Sequence, residues 1–136
     1  MRKRFFALAV AGSLAISLLV VGTANAADAS LNVVHGIPGV DVNVCVNGDV
    51  AIPDFNPGEV VTGVPLAGGT YDIKIVGAAG TCDDAAILEA TGIELAGGKD
   101  YTAVAYLSED GTPTLGLFKN NIKALDKGIS RLTVRH

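Results

Sequence analysis

The chain has 136 residues, 49% hydrophobic and 5% aromatic, with no tryptophan, 17 glycines and a formal net charge of −4. All 14 acidic residues lie beyond residue 26 while three of the 10 basic ones precede it, so the part from Ala27 onward carries −7. Such an acidic surface repels phosphate backbones and argues against nucleic acid as a partner, and the wealth of Val, Ile, Leu and Ala argues against disorder.

Arg2, Lys3 and Arg4 precede an uncharged, mostly apolar run over residues 5–21, and Ala24-Asn25-Ala26 supplies the small residues that a signal peptidase reads. The pattern predicts a secretory signal-peptide helix over residues 1–26, cleaved after Ala26, as the chain's only contact with a membrane. A run of 17 residues is at the lower limit for crossing about 30 Å of hydrocarbon. Export predicts in turn that Cys45 and Cys82 form a disulfide.

The remaining 110 residues suffice for one small domain. Residues 30–35, SLNVVH, form the first strand candidate, broken by GIPG at 36–39. Residues 40–46 alternate, with Val42, Val44 and Val46 on one face and Asp41, Asn43 and Cys45 on the other. Asn47-Gly48 predicts a two-residue hairpin turn, because both tolerate positive φ. Residues 49–55 are the returning strand, cut short at Pro53. Residues 60–66, with Pro65 near their end, predict an edge strand. Residues 70–76 alternate again, with Tyr71, Ile73 and Ile75 inward. Residues 77–84 read as a loop and 85–95 as either a helical turn or a strand. Two strands flank the turn at Asp110-Gly111, and residues 119–129 read as a polar connector before a final strand at 131–136. Seven to nine short strands with turn signals every 8–12 residues predict an all-β, antiparallel, immunoglobulin-like sandwich. In that frame Cys45 points away from the valine face, so its bridge fastens the 77–84 loop over the outer face or edge of the second strand.

LAGG occurs twice, at 66–69 and 95–98, each time before a tyrosine entering a strand, Tyr71 or Tyr101. The pattern predicts tight corners whose tyrosine hydroxyls cap backbone; it lacks the spaced glycines and Lys-Ser/Thr of a phosphate loop. Little points to catalysis. The only histidine before the last residue is His35, at a strand end beside the turn at Pro38, where a hydrogen bond to Asp41 is expected. There is no G-x-S-x-G, and none of the 14 acids stands out as a catalytic pair. Two binding alternatives remain: a Ca²⁺ site gathering Cys82-Asp83-Asp84 with Asp41 or Asp49, and a saccharide platform at Tyr106, which faces away from Tyr101, Ala103 and Ala105.

SLNVVHGIPGVDVNVCVNG, followed by VVTGVPLAGGTYDIKIV and ELAGGKDYTAVAYL, resembles the domain-of-unknown-function 4397 family of bacterial proteins. His35, Pro38, Asp41, Asn47, Gly48, Leu66 and Tyr71 fall where that family's motifs place them. The stretch between His35 and Asp41 is shorter than the common pattern, and the cysteine pair belongs to a subset at most. The resemblance implies an exported, surface- or wall-associated sandwich, often in tandem copies, with no catalytic residues and no cofactor. The partner would be an envelope or extracellular protein or a glycan, met by a monomeric module. SRLTVRH at 130–136 overlays SLNVVH at an offset of 101 residues, with Leu31 on Leu132, Val33 on Val134 and His35 on His136. The expected organisation is therefore a sandwich over 27–121, a connector over 122–130 and the first strand of a second, truncated copy over 131–136.

Overall fold

The computed structural model describes residues 27–135; the expected signal peptide and His136 lie outside them. Eight strands follow one another: β1 (Ala29–His35), β2 (Val42–Val46), β3 (Asp49–Phe55), β4 (Val60–Leu66), β5 (Gly69–Gly77), β6 (Leu88–Leu95), β7 (Asp100–Leu107) and β8 (Pro113–Asn120), with no helix among the described residues. They form two four-stranded sheets, β4-β1-β7-β8 and β3-β2-β5-β6. Every neighbouring pair is antiparallel except β1 and β7. The expected antiparallel pairing thus fails at one seam. Five strands intervene between β1 and β7, a connection long enough to bring the chain back in parallel.

Period-two alternation builds the core. Leu31 and Val33 of β1, Val42 and Val44 of β2, Ile73 and Ile75 of β5, and Tyr101, Ala103 and Ala105 of β7 meet between the sheets. The ambiguous 85–95 segment resolves as a loop to Ile87 and then β6. β4 is an edge strand, as its proline predicts. β3 is also an edge, but it is not cut short at Pro53: it runs to Phe55 through a register shift against β2. At the shift Asp54 takes φ 48°, and its N–H, lost to the ladder, donates to Asn43 Oδ1 at 2.9 Å.

The LAGG echo extends further in space. Gly63 and Gly92 each bulge at φ 69°, three residues before the leucine of the motif. The Gly63 N–H donates to Asn32 Oδ1 on β1, and the Gly92 N–H donates to Asp72 Oδ1 on β5. Both ladders slip register there. Two copies of T-G-x-x-L-A-G-G therefore make the same bulge and the same corner, one leading from β4 into β5 and the other from β6 into β7. The corners abut: a Cβ on Gly68 would lie 2.9 Å from the Gly97 nitrogen. Gly68→Ala is expected to cost about 1–3 kcal/mol by forcing backbones apart. Gly69→Ala, with open space around it, should stay within about 0.5 kcal/mol. Urea unfolding of the two variants compares them.

Among the described residues beyond Asn120 there is no strand. The strand expected at 131–136 is absent over 131–135, where Leu132 is 87% and Val134 81% exposed. Side chains hold this segment instead of a ladder. Arg131 donates to the carbonyls of Asn121 and Lys123, and Arg135 donates to Asn120 Oδ1 at 2.7 Å. Thr133 and Arg135 lie against the outer face of β7 and β8 rather than along the edge of β8.

Candidate functional site

His35 closes β1 and is 1% exposed. Its Nδ1 accepts the Ile37 N–H at 3.3 Å, so its Nε2 carries the proton donated to the Val40 carbonyl at 2.8 Å. The ring packs on Phe55 at 5.4 Å between centroids. Backbone bonds tie the same turn down: the Gly58 N–H donates to the His35 carbonyl and the Gly36 N–H to the Ala105 carbonyl. The expected His35–Asp41 bond does not form. The turn through Pro38 brings the Val40 carbonyl, not the exposed Asp41 side chain, onto the imidazole. The Asp41 carbonyl instead accepts the Ala78 N–H.

Cys45 and Cys82 are bridged, with Cα atoms 5.9 Å apart. Cys45 faces away from Val42 and Val44, as alternation requires, yet it is fully buried. The loop after β5 folds back over the outer face of β2 and covers it. Asn43 Nδ2 donates to the carbonyls of Ala78 and Gly80, and Lys74 Nζ to that of Cys82. Asn43 thereby joins the loop to the β3 bulge with three hydrogen bonds. Sequence reading placed Asn43 on the outer face and missed this role; its only signal was an amide beside Cys45 on a strand face. Within the loop Asp84 accepts from the Thr81 N–H and hydroxyl. The N–H chiefly, then the hydroxyl, hold its pKa below the ordinary 3.8. A lowered folded pKa stabilises at higher pH and is lost as pH falls through it. The urea midpoints of wild type and Asp84→Ala should therefore differ at pH 7 and converge only below 3.8.

The remaining expected positions are turns and corners. Asn47 and Gly48 take φ 52° and 90°, as the hairpin requires, and Asn47 pairs with the Asp72 backbone through its own N–H and Oδ1. Tyr71 donates its hydroxyl to the Ala67 carbonyl at 2.6 Å, while the Tyr101 hydroxyl accepts the Ala96 N–H at 3.1 Å. The expected Ca²⁺ cluster is not assembled: Asp41 and Asp49 flank opposite ends of β2, Asp84 turns to Thr81, and among the described residues no three His, Cys, Asp or Glu converge. Tyr106 is 39% exposed on the outer face.

Fold and sites together define a β-sandwich module fastened by a disulfide, whose motif residues bond to backbone. The model of the DUF4397 family, a domain of unknown function, matches residues 29–136, and the chain belongs to that family. No curated protein matches it.

Proposed function

We propose that the chain is an exported, non-catalytic module, acting as a structural or interaction domain at the cell envelope or outside the cell. The observation that carries this reading is the state of His35. A general base needs a ring nitrogen within reach of a substrate proton; both nitrogens of His35 are bonded to backbone in the core. The disulfide supports an oxidising compartment, and residues 1–26 have the pattern of an export signal.

Expression of the full chain in a bacterial host, followed by fractionation and intact mass, tests it. The expected product starts at Ala27, carries no free thiol and leaves the cytoplasm. An unprocessed cytoplasmic chain would overturn export. Hydrolysis of model ester, phosphate or glycoside substrates, lost in a folded His35→Ala variant, would overturn the non-catalytic reading.

A further inference from the structure

We infer that the outer face of β7 and β8 binds an acidic saccharide, a sugar or polyol chain bearing carboxylate or phosphate groups. This deepens the interaction-module reading and rests on it. The face carries a groove of about 510 Å³, within the range of small-ligand sites, roughly 300–1,000 Å³. Val34 and Val104 form its floor. Tyr106 and Phe118 flank Gly116, and a Cβ there would lie 2.9 Å from Phe118 Cε2 and 3.3 Å from Tyr106 Cε1. The glycine thus leaves room for two rings to lie down over the sheet. Arg135 already covers the Phe118 ring, so the half-exposed Tyr106 ring is the face that takes the C–H side of a sugar, while polar groups at the rim take its hydroxyls.

The rim is polar and cationic. Asn120 Nδ2 bonds Thr102 Oγ1 and Asp100 Oδ1, which fixes its amide at the end of the groove. Arg135 stands 4.3 Å above the Phe118 ring and gives one N–H to Asn120 Oδ1. Among the described residues nothing else bonds its planar fork, whose geometry suits a carboxylate or phosphate. An adjoining hollow of about 320 Å³ is lined by Lys99, Lys119 and Lys123. With Arg131, bonded beside it to the Asn121 and Lys123 carbonyls, five of the seven basic residues after residue 26 gather here. A domain of net −7 that collects its cations beside a groove flanked by aromatic rings has charge complementarity for an anion there. Asp100, the acid lining the hollow, already accepts from Asn32 and Asn120. Peptide capture by strand addition would run along a sheet edge, here that of β8; this groove lies over the face of β7 and β8 and is lined by side chains.

Calorimetric titration of the processed chain with four probes tests the assignment: oligogalacturonate, a glycerol-phosphate oligomer, neutral galacto-oligosaccharide and a thymidine oligonucleotide. At least one of the first two should bind, more weakly as salt rises, and which one binds identifies the anion. Tyr106→Ala and Arg135→Gln should each weaken binding at least tenfold with unchanged thermal midpoints, and Val50→Ala, in the other sheet, should not. Amide shifts on Thr102, Phe118 and Asn120 should report the same site. Failure of both acidic probes, equal binding of the neutral or nucleotide probe, or indifference to the two variants would overturn it. A processed, secreted chain that binds neither acid would sink the groove assignment and leave the module reading standing.

Discussion

Removing the Cys45–Cys82 bridge as the double variant Cys45→Ala/Cys82→Ala should lower stability by roughly 3–4 kcal/mol. The bond joins residues 37 apart. In the chain-entropy model a loop of that size constrains the unfolded chain by about that amount at 25 °C. The native state loses more than a covalent tie. Without the bridge, the 78–84 loop is held to β2 and β5 through Asn43, Lys74 and the backbone bond from Ala78 to Asp41. Cys45 is fully buried beneath it, so a loosened loop admits water to the outer face of β2. Urea unfolding of the oxidised, reduced and double-alanine proteins measures the effect. Reduction and substitution should agree within about 1 kcal/mol, the ordinary scale of a point change. A double variant as stable as the oxidised protein would show that the loop is held by its hydrogen bonds alone.

His35→Phe is the second large effect, with an expected loss of about 2–4 kcal/mol. Phenylalanine preserves an aromatic ring against Phe55 and fills the same space. It strands the Val40 carbonyl and the Ile37 N–H, both served now by the imidazole. A buried polar group left without its partner costs about 1–3 kcal/mol. His35→Ala removes the ring as well and should cost more, about 3–5 kcal/mol, through the added cavity. The order wild type, Phe, Ala separates hydrogen bonding from packing. A phenylalanine variant within about 0.5 kcal/mol of wild type would mean that the ring, not its nitrogens, supports the turn.

Much of this architecture was legible because it rests on local chemistry. Strand phase follows from alternation, which put Val42 and Val44 inside and Cys45 opposite them. Asn47-Gly48 could be read as a turn because positive φ is a property of those residues. Proline in β4 marked an edge. Where the reading slipped, a distant partner intervened. Pro53 did not end β3, since Asn43, 11 residues away, receives the Asp54 N–H that the bulge releases. Leu132 and Val134 copy the inward residues of β1, but residues 131–135 run over the face of β7 and β8 rather than along an edge, and form no strand.

The candidate sites divide in the same way. His35, Pro38 and the two cysteines stood out by type and neighbourhood. Asn32, Asn43 and Asp72 did not, because their importance lies in glycine bulges and loops brought opposite them by sheet pairing. Phe118, Asn120 and Arg135 are separated by up to 17 residues and converge only when the end of the chain folds back over β8.

By itself the sequence determined the fold class, the hairpin turn, the two tyrosine corners and the pairing of the cysteines, since each depends on intrinsic backbone preference, period-two burial or the arithmetic of two thiols. Tertiary structure alone decided the parallel seam between β1 and β7, the burial of the outer face of β2 and the cationic aromatic groove. Those depend on which surfaces meet after long connections close, and no local propensity encodes that.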